Sequence, residues 1–203
     1  MKICLFGASS DYIKQSYIDS VEQFGEMLAR RGHTLVFGAG ATGLMGAAAR
    51  GTRRGGGKII GISPTIFDQG GLLYKDCDEM LYTETMHERK ALLRSKADAF
   101  AITPGGVGTF DEFFEVLTLR QLGVLTKPIG ILNLEGVYDP LLNLLEKTIE
   151  GGFMSEECRV LWHSESDPAA LLDYLERAIL DPKENKNYAY MPIPPEERGK
   201  EVE

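Results

Sequence analysis

One short run holds most of the chemistry this sequence can do: Pro104-Gly105-Gly106-Val107-Gly108-Thr109-Phe110-Asp111-Glu112. It follows the apolar run Ala99-Phe100-Ala101-Ile102-Thr103 and leads into a stretch striped with phenylalanine. Glycines let a backbone come close to a ligand, and a helix starting here presents unpaired N–H groups and a positive dipole end to an anion. It is not a Walker A loop, because no lysine precedes Thr109 and the spacing differs. Thr109 and Glu112 also have the capping-box spacing, in which each side chain bonds an N–H of the first turn. Glu112 therefore has two readings: a helix cap, or a carboxylate standing at the sugar side of a bound phosphorylated ligand.

A second group, Thr85-Met86-His87-Glu88-Arg89-Lys90, predicts the start of a helix running to about Ala97, with Met86, Leu93 and Ala97 on one face and Arg89 and Lys90 flanking it. Such cations commonly snorkel beside an apolar stripe. Two of them in a first turn oppose the helix dipole, an objection that a nearby negative group would remove. A third run, Gly38-Ala39-Gly40-Ala41-Thr42-Gly43, is a literal G-x-G-x-x-G. It follows the second strand rather than the first, and no acid stands about 20 residues on to take a ribose hydroxyl, the next one being Asp68. A tight turn packing helix on strand is the better reading, and NAD the weaker one. Ser9 and Ser10 end the first strand, where hydroxyls reach a ligand or cap a helix. His33, His87 and His163 form no H-x-x-x-H pair, the cysteines no C-x-x-C, and no G-x-S-x-G elbow occurs. No metal site is expected.

The elements that must position these groups are legible as strands alternating with helical-period stretches: Lys2 to Gly7, Thr34 to Gly38, Lys58 to Ile62, Glu79 to Thr83, Ala99 to Thr103 and Pro128 to Asn133. That alternation predicts a single α/β domain, a Rossmann-like doubly wound parallel sheet with helices on both faces and ligands at the carboxyl ends of its strands. The first helix is expected over about Ser16 to Arg31, with Ile18, Val21, Met27 and Leu28 inward and Gly32 as a left-handed stop. A helix over about Thr109 to Leu122 carries Phe110, Phe113, Phe114 and Leu117 as its stripe, and Asp139-Pro140 and Asp167-Pro168 read as N-caps followed by Pro. The domain is assigned to 1–182 and a polar, loosely ordered tail to 183–203.

With 203 residues, 43% hydrophobic and 26% charged, the chain is long enough for a core that needs no disulfide or metal. Cys4, Cys77 and Cys158 read as buried thiols in a reducing compartment. No segment approaches a bilayer span and the first apolar run is too short for a secretory signal, so a cytoplasmic location is expected, with no membrane partner. A net charge of −8 argues against nucleic acid. Between Met27 and Phe67 there is no acid, while Arg30, Arg31, Arg50, Arg53, Arg54 and Lys58 fall there; if the chain handles an anion, the N-terminal half is expected to hold part of the site.

PGGVGTFDE fits P-G-G-x-G-T-x-x-E, and together with MHERK it resembles the Lonely guy (LOG) family of cytokinin riboside 5′-monophosphate phosphoribohydrolases. The resemblance runs from about Lys2 to Leu180, supported by Phe6-Gly7-Ala8-Ser9-Ser10, Gly43-Leu44-Met45-Gly46, Gln121-Leu122-Gly123 with Lys127-Pro128-Ile129, and Gly151-Gly152-Phe153. It implies a Rossmann-like fold, commonly dimeric, that cleaves the N-glycosidic bond of adenosine 5′-monophosphates, often N6-prenylated, to free base and ribose 5-phosphate. No cofactor is implied. By that resemblance Glu112 is the catalytic carboxylate and Arg89 its partner in holding and activating the nucleotide. Gly105, Gly106, Gly108 and Thr109 cradle the 5′-phosphate, Glu115 supports the ribose or the attacking water, and Lys90, Met86, Ser9 and Gly43 complete the substrate-binding set. The chain departs from the family's three glycines after the second strand at Ala39, whose methyl bears on how closely that loop meets a ligand. Some relatives carry an old lysine decarboxylase label, for which the sequence shows no pyridoxal-phosphate context. The alternative is a noncatalytic nucleotide sensor or cofactor carrier of the same superfamily.

Overall fold

Alternate residues of the strands face opposite ways, so a sheet whose strands are apolar throughout must be covered on both sides. The computed structural model describes residues 1–68 and 71–181, and the tail assigned to 183–203 lies outside the described residues. Seven parallel strands form one sheet in the order β4-β3-β2-β1-β5-β6-β7. They are β1 (Lys2–Phe6), β2 (Thr34–Phe37), β3 (Lys58–Pro64), β4 (Glu79–Thr83), β5 (Ala99–Ile102), β6 (Ile129–Leu132) and β7 (His163–Glu165). The helices are α1 (Gln15–Arg30), α2 (Gly43–Arg54), α3 (Met86–Lys96), α4 (Val107–Gln121), α5 (Asp139–Glu150) and α6 (Pro168–Leu180).

The period-2 rule sorts the core. Ile3 and Leu5 of β1 join Val21, Phe24 and Leu28 of α1, Leu44 and Ala47 of α2 and Leu172 and Leu175 of α6 on one face. Cys4 and Phe6 face the other way, against Leu93 of α3, Phe113 and Val116 of α4 and Leu145 and Ile149 of α5. All six expected strands form, and β7 is added. Its His-Ser-Glu sequence carries no apolar run, and it is held at the edge by pairing with Gly130, Ile131 and Leu132.

Several local expectations need correction. Asp139 does not cap α5. The N-cap is Tyr138, and the Asp139 carboxylate instead accepts from the Asn133 side chain at 2.7 Å. Asp167 does cap α6, accepting the Ala170 N–H at 2.8 Å. In the α4 stripe Phe113 and Leu117 are buried, but Phe114 lies on the outer flank, 39% exposed. Ile18 and Met27 are only half-buried, while Gly32 has the expected left-handed backbone, φ 77°. Cys4 and Cys158 are buried, Cys77 is half-buried, and all three are free thiols. Burial pushes the Cys77 thiol up to about 11. The arginines between Met27 and Phe67 are each paired with an acid. Arg30, Arg50 and Arg54 pair with Glu22 or Glu26, Arg31 with Asp173 and Glu176, and Arg53 with Asp78.

Helices α1 and α2 meet through glycines: a Cβ on Gly51 would lie 1.8 Å from the Glu22 carbonyl oxygen, and one on Gly25 2.3 Å from that of Ala48. Neither obstacle is a flexible side chain, so the helices themselves have to part. Gly51→Ala is expected to cost about 2 kcal/mol despite its better helix propensity, read as a lower midpoint in urea.

Candidate active site

The chain runs outward from β1 to β4 and then returns to β5 at the side of β1, so the loops after β1 and β5 diverge at a topological switch point. They are stitched together at their bases. Thr103 donates its N–H and its hydroxyl to the Phe6 carbonyl at 2.8 and 3.0 Å, and the Ala8 N–H donates to Pro104 at 3.0 Å. Gly7 makes this approach possible, since a Cβ there would stand 2.2 Å from Thr103 Oγ1. Above the stitch opens a cleft of about 370 Å³.

Two helix N-termini border it, and they are used differently. At α2 the Gly43 N–H donates to the Asp11 carboxylate at 2.7 Å, and those of Leu44 and Met45 to the Ala8 carbonyl at 2.8 and 3.3 Å. The G-x-G-x-x-G run thus grips the β1–α1 loop, as a packing turn, and its dipole is spent on the protein's own groups. At α4 the N-cap is Gly106, which has no side chain to cap the helix. This end offers the cleft N–H groups and a positive potential.

The expected Thr109–Glu112 capping box does not form. Thr109 packs onto Gly105, where a Cβ would come within 2.1 Å of Thr109 Oγ1, and the Glu112 carboxylate turns to Arg89 Nη1 at 2.7 Å. A capping box exists one helix earlier: Thr85 Oγ1 accepts the Glu88 N–H at 3.1 Å, and the Glu88 carboxylate accepts the Thr85 N–H at 3.3 Å.

Arg89 is 8% exposed and is fixed by three elements. Its Nε donates to the Ile62 carbonyl at the end of β3 at 3.2 Å, its Nη1 reaches Glu112 on α4, and Gly38 at the end of β2 leaves the space its Nη2 fills. The dipole objection to cations in this turn is met from α4. Lys90 lies 2.9 Å from Asp111 and 2.8 Å from Glu115, and Arg94 also pairs with Glu115. Burial raises the pKa of Glu112 above its ordinary value, with the Arg89 charge opposing the rise. A buried pair of this kind returns little net stability, because desolvating both charges offsets their attraction. What it provides is a carboxylate and a guanidinium at fixed positions beside a helix end.

Of the residues singled out from sequence, Glu112, Arg89, Gly106, Gly108, Thr109, Met86 and Ser9 line the cleft. Gly105, Lys90, Glu115 and Gly43 do not line it. Glu115 is turned to Lys90 and Arg94, and Gly43 sits under the Ser9–Ser10 backbone, where a Cβ would meet the Ala8 oxygen at 2.4 Å. Gly7, Ala8, Ser10, Met45, Val107 and Asp111 line it in addition. Met45 was legible only as part of a motif; its side chain lies across Gly38 and Gly40, where added Cβ atoms would meet its sulfur at 3.4 Å. Ala39 holds a left-handed backbone, φ 62°, with its methyl buried toward Gly61 and outside the cleft lining. Among the described residues, no lysine lines the cleft.

Fold and site together define a Rossmann-like α/β protein with an anion-ready helix end at its switch point and a buried arginine–carboxylate pair beside it. The family model described as "Possible lysine decarboxylase" matches residues 45–175. The cytokinin riboside 5′-monophosphate phosphoribohydrolase LOG2 of Arabidopsis thaliana is 39% identical over 178 residues, 88% of this chain and 84% of that protein. A probable phosphoribohydrolase of the same name from Oryza sativa subsp. japonica, LOGL9, is 38% identical over 88% of this chain and 78% of its own length. The chain belongs to the LOG family of cytokinin riboside 5′-monophosphate phosphoribohydrolases. Among solved structures, the molybdenum cofactor binding protein of Rippkaea orientalis superposes with a TM-score of 0.68 at 19% identity, covering 88% of this chain and 96% of that one. The molybdenum cofactor carrier protein of Chlamydomonas reinhardtii gives 0.67 at 18%, covering 88% and 97%. At such identities the likeness is one of fold.

Proposed function

We propose that the protein hydrolyses the N-glycosidic bond of adenosine 5′-monophosphates, N6-substituted ones included, releasing free base and ribose 5-phosphate. The observation that carries this reading is the Arg89–Glu112 pair, buried at 2.7 Å beside the uncapped N-terminus of α4. Breaking the C1′–N bond builds positive charge on the ribose, which a fixed carboxylate stabilises more than it stabilises the neutral sugar. Water adds to C1′, the base departs with the bonding pair, and a proton passes from water to the base. Glu112 holds that water and the developing charge, while Arg89 orients Glu112. The phosphate, remote from the breaking bond, supplies binding energy at the N–H groups of α4, with Gly106, Gly108 and Thr109 around it. Ser9 and Met86 border the nucleoside, and Lys90 and Glu115 brace α3 against α4.

Incubating adenosine 5′-monophosphate with the protein should yield adenine and ribose 5-phosphate, with kcat/KM on unphosphorylated adenosine lower by about 10³-fold. Tight binding without base release across nucleoside monophosphates would favour a carrier or sensor instead. The working form of Glu112 is the carboxylate, and burial raises its pKa. The acid limb of kcat/KM is therefore expected to fall off at a pH above the ordinary glutamate range, since lowering pH protonates the group. A limb at or below that range would remove Glu112 from the role.

We also read the protein as a cytoplasmic homodimer that takes no nucleic acid or membrane. The net charge of −8 and three free thiols support this, as do the exposed Val107 and Phe114 along α4. Among the described residues, no helix is long and apolar enough to cross a membrane.

A further inference from the structure

A glycine-rich turn that receives a phosphate gains affinity when it is held in shape before the ligand arrives. The turn between β5 and α4 is held by a side chain from a third loop. Tyr138, between β6 and α5, is 2% exposed. Its own placement is fixed by Asn133, whose side-chain oxygen accepts the Tyr138 N–H at 2.7 Å, and its ring lies against Phe110, centroids 6.2 Å apart. The phenolic hydroxyl donates to the Thr103 carbonyl at 2.7 Å, and the phenolic oxygen in turn accepts from the Gly105 N–H. One hydroxyl thus spans Pro104, which has no N–H of its own, and ties together the two backbone groups on either side of it.

We propose that Tyr138 is a positioning residue for the phosphate: its hydroxyl fixes the Thr103–Gly105 turn and so aims the first N–H groups of α4. The proposal rests on the nucleotide reading of the cleft. It never touches the reacting atoms, so its loss weakens recognition of the phosphorylated substrate and leaves the chemical step alone.

Tyr138→Phe keeps the ring against Phe110 and removes only the hydroxyl. KM for adenosine 5′-monophosphate is expected to rise about tenfold with kcat within about twofold, while kcat/KM for adenosine is unchanged. An unaltered KM, or an equal slowing of both substrates, would overturn it; the second result is what a merely structural tyrosine gives. Should the wild type release no adenine at all, the hydrolase reading falls, and calorimetric titration of both proteins with adenosine 5′-monophosphate decides this one: about tenfold weaker binding by the variant upholds it, equal binding sinks it. If the variant does not fold, amide exchange in ligand-free wild type decides: a protected Gly105 amide supports the tie, and one exchanging like an open loop refutes it.

Discussion

Glu112→Gln is expected to lower kcat on adenosine 5′-monophosphate by about 10³-fold, about 4 kcal/mol of transition-state stabilisation, with KM within about threefold. The substitution keeps the size of the side chain and an oxygen that accepts from Arg89 Nη1, now 2.7 Å from the carboxylate. What it removes is the negative charge, which matters most when the ribose turns cationic. The fold should tolerate it. Because burial raises the folded-state pKa of Glu112, its ionisation opposes folding above that pKa, and the penalty lifts as pH falls through it toward the unfolded value. An amide never carries this penalty, although Arg89 then keeps a weaker partner. Steady-state kinetics with a melting curve decide the matter. Loss of nucleotide binding at unchanged kcat would make Glu112 a structural counter-ion of Arg89 and nothing more.

The reading of this chain from its sequence succeeds where one physical signal acts alone. Apolar runs broken by Gly and helical stretches place six strands, because burial on both faces of a parallel sheet leaves little choice of residue. It fails where two local signals compete or where the cause lies far away in the chain. Thr109 and Glu112 have the spacing of a capping box, yet the helix already starts at Val107, two residues before Thr109, with Gly106 as its N-cap, and Arg89 is the stronger partner for the carboxylate. Thr85 and Glu88 have the same spacing and do form the box, since no buried cation competes for Glu88. The acids that pair with the arginines after Met27, namely Glu22, Glu26, Asp78, Asp173 and Glu176, all lie outside that acid-free stretch, so charge counted along the chain does not show the pairing. β7 and Tyr138 carry no local pattern at all. They owe their roles to a sheet edge and to a loop about 35 residues upstream.

Gly38→Ala should lower kcat/KM by about 10²-fold or more without adding a group to the substrate's path, because it dislodges Arg89. Gly38 does not have a left-handed backbone, so alanine suits its conformation and only the new methyl matters. That methyl would lie 1.8 Å from Arg89 Nη2 and 2.9 Å from Cζ. The guanidinium is the movable partner, and once it swings away it leaves both the Ile62 carbonyl, at 3.2 Å, and Glu112. Glu112 stays buried with its opposing cation gone, so its pKa climbs further and the acid limb of the rate profile moves to higher pH. This shift separates the effect from simple loss of folded protein, which lowers the rate at every pH alike. Arg89→Met should reproduce it, and combining the two substitutions should add almost nothing, since both act through the same guanidinium. Full additivity, or an acid limb that stays where it was, would mean that the glycine at position 38 serves the packing of β2 and not the arginine.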